Sequence, residues 1–160
     1  MDILAIKRFY KEFPSEAACL NYLERLKWPD GPVCPSCNLQ GGYRFADGKL
    51  FKCPACRKQF TVKTGTIFSD SHIPLQDWFQ AVYILCAADT GVSTILLADY
   101  LELTQKSAWS LVNRIRQTMT DADISKRRRT RESKREQPYK INLEFSEAMN
   151  IVATARKTAT

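Results

Sequence analysis

Four cysteines between residues 34 and 56 have the type and spacing that most directly specify chemistry. Cys34 and Cys37 form one C-x2-C pair, Cys53 and Cys56 form a second, and fifteen residues separate the two pairs. A tight turn at each pair places two sulfurs ~3.5–4 Å apart, so two facing turns complete a tetrahedral thiolate site. The spacing therefore predicts one structural Zn2+ ion bound by these four cysteines.

Other interpretations of the cysteines are open. Iron also binds in thiolate tetrahedra, as in rubredoxin-like sites, although the chain has no other redox feature. The four could instead be unrelated buried cysteines. A catalytic zinc is not expected, because four thiolates leave no coordination position for water. Cys19 and Cys86, which lie among the apolar residues of predicted helices, are expected to be buried thiols.

The cysteine pairs belong to a segment, 33–70, that predicts a small zinc ribbon. Strands at 43–45 and 50–52 flank residues 46–49, whose Asp-Gly pair indicates a hairpin, and residues 59–63 offer a third strand. A hairpin this small buries too little apolar surface to fold alone. We therefore expect the metal to supply the missing stability.

A helix is predicted before the ribbon. Ser15 follows Pro14 and can cap a helix over Glu16–Lys27, which the sequence Trp-Pro-Asp-Gly-Pro then ends. The whole region 1–32 is expected to pack on the ribbon.

Residues 71–120 predict a three-helix, helix-turn-helix unit. A first amphipathic helix is followed by two helices that Ser93 and Thr104 can cap. Ala98 provides the small residue that a close helix crossing requires, while Glu102 occupies the turn position that usually holds glycine. The other interpretation is a plain three-helix core with no DNA role.

The polar face of the third helix is the candidate DNA-contacting surface. Asn, Gln, Ser and Lys can bond to base edges in a major groove, whereas Arg and Lys can hold phosphates. The candidate residues are Lys106, Ser110, Asn113, Arg114, Arg116 and Gln117. Trp109, at the border of this face, is interpreted as a packing residue.

The positive charge of the chain is concentrated in one run within the region 121–160. Residues 126–140 contain eight Lys or Arg and two Glu, so they contribute +6 of the net charge of +7. Such a run is typical of a phosphate-binding linker, although a solvated connector is the other interpretation. The added candidate DNA contacts are Arg127, Arg128 and Arg129. A short helix over 146–156 is expected to dock on the body or on a partner.

Four strings of sequence occur in an order that is specific to one known family. They are WPDGPVCPSC, FKCPACRKQFTVKTGTIFSDSHIPLQDWFQAV, GVSTILLADYL and TQKSAWSLVNRIRQTM. Over roughly residues 10–120 the chain thereby resembles the transposase zinc-ribbon family, the N-terminal DNA-binding region of one class of bacterial insertion-sequence DDE transposases. The resemblance implies a zinc ribbon with the same four cysteine ligands, then a helix-turn-helix that recognises element ends through the helix at 104–119.

The resemblance also implies a part that this chain does not match. In full-length family members an RNase H-like catalytic domain follows, whose three carboxylates hold two metal ions. Here 41 residues, 120–160, follow the third helix, and they have no alternating strand–helix pattern. We therefore expect a non-enzymatic, sequence-specific DNA-binding protein that acts as a regulator or a DNA-targeting subunit. The other hypotheses are a protein-interaction adaptor and a DNA-binding subunit of a transposase or nuclease complex whose catalytic domain is on another chain.

Together these elements predict a small α+β protein whose partner is double-stranded DNA. A homodimer and a catalytic partner protein are further candidate assemblies. The sequence has no apolar stretch of ~18 residues and no signal-peptide pattern, so no membrane partner is expected and a cytoplasmic, nucleoid-associated location is predicted. No small-molecule substrate is expected. His72, the single histidine, is expected in a surface loop.

Overall fold

The computed structural model describes residues 3–87, 92–123 and 144–154, with the side chains of 6–87, 92–119 and 144–154. In these residues two helices precede one small sheet and four follow it, and the predicted α+β class is confirmed. In chain order the elements are α1 (Ile3–Glu12), α2 (Glu16–Lys27), β1 (Tyr43–Arg44), β2 (Leu50–Lys52), β3 (Gln59–Thr61), α3 (Leu75–Ala87), α4 (Thr94–Tyr100), α5 (Gln105–Asp123) and α6 (Phe145–Thr154).

Helix α1 is an element that the sequence analysis did not predict. Phe9 is fully buried, and its ring centroid lies 5.6 Å from that of Tyr83 in α3. Phe13, just beyond the end of α1, contacts the ring of Phe79 edge-on at 5.2 Å. A ten-residue helix is marginal in isolation, so α1 is stabilised by this aromatic packing rather than by its own propensity.

Helix α2 begins directly after the predicted cap residue Ser15, and its first residue, Glu16, caps another helix. The Ser15 Oγ accepts a hydrogen bond from the Ala18 N–H at 3.3 Å. The carboxylate of Glu16 accepts bonds from the backbone N–H groups of Leu75 at 3.0 Å and Gln76 at 2.9 Å. A carboxylate at these otherwise unpaired donors is favoured by the helix dipole, so α2 fixes the start of α3.

The predicted hairpin is present, and it extends into a three-stranded antiparallel sheet in the order β1-β2-β3. The Asp47 carboxylate accepts bonds from the backbone N–H groups of Lys49 at 3.1 Å and Leu50 at 3.2 Å. Gly48 has a φ of +68°, which glycine adopts without steric cost. The Asp-Gly pair therefore sets the turn, as its residue types predict.

The inner face of the sheet packs against the end of α2. Trp28 contacts Phe51 edge-on at 5.3 Å and Phe60 at 5.7 Å, while Phe51 and Phe60 stack on each other at 5.6 Å. The Lys27 Nζ donates to the carbonyl of Val62 at 2.9 Å and that of Thr64 at 2.8 Å, and burial lowers its pKa to about 8. The ribbon is thus attached to α2 by an aromatic cluster and a lysine bridge.

Helix α3 is the centre of the helical half, where it packs against α1, α2, α5 and α6. Helix α6 confirms the expected C-terminal helix, and it docks on the body. Its fully buried residues are Ala148, Met149, Val152 and Ala153. Phe145, at its start, adds ring contacts to Phe79 and Tyr83.

Helices α4 and α5 pack together and are joined by a short turn. The Ser93 Oγ accepts from the Ile95 N–H at 3.3 Å, and the Thr104 Oγ1 accepts from the Ser107 N–H at 3.2 Å, so both predicted caps are present. In the turn, Glu102 has a φ of +53°, the left-handed conformation that glycine favours. Glu102 therefore adopts the backbone conformation expected of the glycine that usually occupies this turn position.

Replacing Glu102 by glycine should stabilise the protein. A non-glycine residue in the left-handed region costs ~1–2 kcal/mol, and the greater freedom of glycine in the unfolded chain offsets part of the gain. We expect a net increase of about 0.5–1 kcal/mol in the free energy of unfolding, measured by urea denaturation with zinc present. Glu102→Ala is the matched control, since it removes the carboxylate but keeps the Cβ. Equal stability of the two variants would contradict the strain argument.

Candidate metal centre and nucleic-acid interface

The first cysteine pair lies in a closed backbone turn. The N–H of Cys34 donates to the carbonyl of Leu39 at 2.9 Å, and the N–H of Asn38 donates to the carbonyl of Cys34 at 2.9 Å. Asn38 takes a φ of +58°, which asparagine tolerates better than most residues. The turn brings Cys34 and Cys37 to the same side of the chain.

The second pair repeats this geometry. The N–H of Cys53 donates to the carbonyl of Lys58 at 3.0 Å, and the N–H of Arg57 donates to the carbonyl of Cys53 at 3.1 Å. Arg57 has the same φ of +58° that Asn38 has in the first turn. The two turns are therefore equivalent. One precedes β1, the other follows β2, and each presents two sulfurs.

The four sulfurs converge on one point. The Sγ atoms of Cys34 and Cys56 are 3.6 Å apart, those of Cys37 and Cys53 are 3.5 Å apart, and all four lie within 4.8 Å of one another. A tetrahedral site with Zn–S bonds of ~2.3 Å has sulfurs about 3.8 Å apart. The donor set and its spacing fit a zinc ion, as the sequence spacing predicts.

Backbone N–H groups favour the thiolate form of the first cysteine in each turn. Although burial acts in the opposite direction, the N–H groups of Ser36 and Cys37 lower the pKa of Cys34 to about 6. The N–H of Cys56 is the main cause that lowers the pKa of Cys53. Thiolates are the form that binds zinc, so these two sulfurs are prepared for a cation.

The crowding of the sulfurs has the opposite effect on Cys37. The backbone N–H of Leu39 favours its thiolate, but the neighbouring sulfur of Cys53, then burial, then the sulfurs of Cys34 and Cys56 raise its pKa to about 11. Four sulfurs this close cannot all carry charge unless a cation lies among them. A bound divalent ion removes this conflict, which favours a metal centre over four unrelated thiols.

The two cysteines outside the cluster are not poised for reaction. Burial raises the pKa of Cys19 to about 12, and it does the same for the half-buried Cys86. Thiols with raised pKa values are poor nucleophiles and poor metal ligands. Both therefore serve as packing residues.

Helix α5 divides its predicted contact residues between solvent and the protein body. Lys106, Ser110, Arg116 and Gln117 are exposed, and Asn113 is half-buried. The opposite face is closed by Ala108, Leu111, Val112, Ile115 and Thr118, all at most 8% exposed. Packing of the apolar face therefore orients the polar face of α5 toward solvent.

Two residues of α5, Arg114 and Trp109, have environments that their residue types do not suggest. Arg114 is half-buried, donates to the carbonyl of Ile67 at 3.3 Å and lies over the ring of Trp78 at 6.0 Å. Its predicted role as a DNA contact is untested, but the structure gives it an internal partner. Trp109 is 56% exposed, so its interpretation as a packing residue is wrong. From the sequence alone, a tryptophan at the edge of an apolar stripe cannot be assigned to the buried side or to the solvent side of a helix.

The other predicted contacts, Arg127, Arg128 and Arg129, lie outside the described residues. His72 is exposed, as expected. Among the described helices, none is long and apolar enough to cross a membrane.

Comparison with known proteins finds a family model that matches the region of the cysteine centre. Residues 14–59 match the family model of the transposase zinc-ribbon domain. The match spans α2 and all four cysteines, and it confirms the resemblance for this part of the chain. A protein of Halobacterium salinarum described as an uncharacterized protein in transposable element ISH50 is 31% identical over 107 residues, which is 65% of this chain. The chain covers 36% of the length of that relative. No solved structure matches this chain significantly.

Changing Cys53 to serine should abolish metal binding by the four-cysteine centre. A hydroxyl does not replace a thiolate in a tetrahedral zinc site, so we expect zinc content to fall from about one ion per chain to nearly none. Elemental analysis and the thiolate absorption of the cobalt-substituted protein measure this. Cys86→Ala, outside the cluster, should keep its zinc. Iron in the purified protein, or zinc retained by Cys53→Ser, would contradict the assignment.

Proposed function

We propose that this protein is a zinc-stabilised, sequence-specific DNA-binding protein, related to the DNA-recognition part of a transposase. The observation that carries the proposal is the outward polar stripe on α5, formed by Lys106, Ser110, Asn113 and Gln117. These residues follow one another at steps of four, three and four, so they lie along one line of the helix. The stripe is ~16 Å long, and a B-DNA major groove about 12 Å wide admits such a helix.

The packing of α5 supports its use as a recognition element. Its apolar face is buried against α3, α4 and α6, so the stripe is presented on a fixed helix rather than on a loop. Arg114 also connects α5 to Ile67, near the end of the ribbon segment 33–70. The ribbon and α5 therefore belong to one connected body.

The zinc ion in this proposal is structural, with one ion bound per chain. The basic run at 126–140 adds sequence-independent attraction for phosphates. The protein acts as a transcriptional regulator or as the DNA-targeting subunit of a transposition or nuclease complex. A nucleoid-associated, cytoplasmic location follows from a DNA partner.

Substitutions in α5 and in the basic run should weaken DNA binding in different ways. Lys106→Ala and Asn113→Ala each remove a base-edge contact, so each should weaken the preferred site by ~1–3 kcal/mol more than random DNA. Arg127, Arg128 and Arg129 changed together to alanine should weaken all duplexes equally and flatten the salt dependence. Fluorescence anisotropy on a duplex selected from a random pool, across a salt series, measures both effects.

Lys11→Ala is the charge-matched control, because Lys11 is an exposed cation on α1, which packs against α3. It should leave the selectivity for the preferred site unchanged. If both sets of variants bind every duplex as tightly as the unchanged protein does, α5 and the basic run are not the DNA-binding surface.

A second hypothesis, a protein-interaction adaptor, is favoured by one observation on α4. Ile95 is 53% exposed and Leu96 is 59% exposed, although both are large apolar residues in a helix. Apolar side chains exposed together are typical of protein contacts. A homodimer, or a partner that carries a catalytic domain, would bury them. This hypothesis is the better one if the DNA-binding variants have no effect.

We also propose that this chain alone does not cut or join DNA. Phosphoryl transfer by two metal ions needs carboxylates that hold those ions ~3.5–4 Å apart, and four thiolates leave their zinc no position for water. Asp77 lies in the first turn of α3, where burial and then the charge of Glu16 raise the pKa of its carboxyl group. We therefore assign Asp77 a structural role in that turn.

Incubation of the zinc-loaded protein with a supercoiled plasmid and magnesium or manganese should therefore leave the plasmid intact. Gel electrophoresis measures nicking. Nicking that persists on further purification, and that is lost when one carboxylate is changed, would overturn the non-enzyme proposal.

A further inference from the structure

The outer face of the ribbon sheet carries an aromatic and basic row. The strand register places Tyr43 opposite Lys52, and Lys52 opposite Gln59, so these three side chains share one face. Tyr43 is 70% exposed, and Lys52 and Gln59 are also exposed. The row therefore crosses all three strands on the solvent side.

A second row on the same face extends this surface. Leu50 pairs with Thr61, and the N–H of Phe45 donates to the carbonyl of Leu50 at 2.9 Å. Phe45 directly follows β1, and the alternation of side chains along an extended chain puts it on the same face as Tyr43; it is 38% exposed. Two exposed aromatic residues, two positions apart in the sequence, thus lie on this face.

The fold does not account for these rings. The inner face supplies the packing: Phe51 and Phe60 contact Trp28, and the Arg44 guanidinium lies 4.8 Å from the Phe51 ring centroid. Arg44 also forms an ion pair with Glu24 of α2. The inner residues fix the sheet on α2, and this register leaves Tyr43 and Phe45 on the outside.

The charge around the outer face selects a polyanion. Besides Arg44, which is paired with Glu24, the exposed cations on the ribbon are Lys49, Lys52, Arg57 and Lys58. The segment 33–70 has six Lys or Arg, two Asp and no Glu. One of those two acids, Asp47, is engaged with backbone N–H groups of the hairpin turn. An apolar protein partner would not require this charge, whereas a nucleic-acid backbone complements it.

We propose that the outer face of the ribbon sheet binds unpaired DNA bases beside the duplex that α5 contacts. One base stacks on the ring of Tyr43, with Phe45 as a second stacking surface, and Lys52 holds the adjoining phosphate. The flat faces of bases are hidden inside a duplex, so exposed rings on a basic sheet are suited to a single strand. The inference rests on the proposed DNA-binding function and adds a second ligand form, a single-stranded extension.

The test compares duplexes that differ only in an extension. The probes are a blunt duplex carrying the selected site, the same duplex with a dT extension of about ten nucleotides on either end, and the dT strand alone. Anisotropy titrations with the zinc-loaded full chain should show tighter binding to at least one extended duplex. Tyr43→Ala should remove that gain, a loss of about 5- to 30-fold, and leave the blunt duplex unchanged.

Further variants separate stacking from charge. Tyr43→Phe should keep most of the gain, because the ring remains, while Lys52→Ala should reduce both the gain and its salt dependence. Lys11→Ala should change neither. Unchanged zinc content and circular dichroism show that each variant is folded.

The outcomes distinguish this inference from the proposed function. Lys106→Ala should weaken the blunt duplex and keep the relative gain from the extension. No gain in the unchanged protein, or a full gain in Tyr43→Ala, overturns the inference even if duplex binding holds. If the dT strand binds through Tyr43 but no duplex binds, the proposed function fails and the stacking surface stands alone.

Discussion

The four cysteine sulfurs meet within 4.8 Å of one another at the end of a sheet whose strands are two or three residues long. Such a sheet buries too little apolar surface to be stable alone. Four thiolates this close repel one another unless a cation lies among them. A zinc ion among them would replace that repulsion by four bonds, so we expect the shape of the ribbon to depend on the metal.

The sheet in turn determines what the two faces of the ribbon can do. Its inner face packs Phe51 and Phe60 on Trp28, and Lys27 bonds to the chain just beyond β3. The helical half is connected to the same body through Glu16, which caps α3, and through Arg114 on α5. The proposed contact surfaces, the α5 stripe and the outer ribbon face, are the sides that this packing leaves exposed.

The sequence predicted the features that depend on local chemistry. Paired cysteines, the Ser15 cap and the Asp-Gly turn each require particular residues at fixed spacings, so their positions could be recognised without the fold. Helix α1 was missed because the burial of Phe9 depends on α3, which lies about seventy residues further along the chain. The positions of Trp109 and Arg114 were not predictable for the same reason, since distant packing decides which way a side chain at the border of a helix face points.

Hydrogen exchange with and without a strong zinc chelator tests most directly whether the metal holds the ribbon. On removal of zinc, the amide protons that close the two cysteine turns, those of Asn38 and Cys53, should lose their protection together with the strand amides of Phe51 and Phe60. Amides in α3, which is anchored by its aromatic contacts, should remain protected. Full protection of the ribbon amides after zinc has been completely removed would contradict the account.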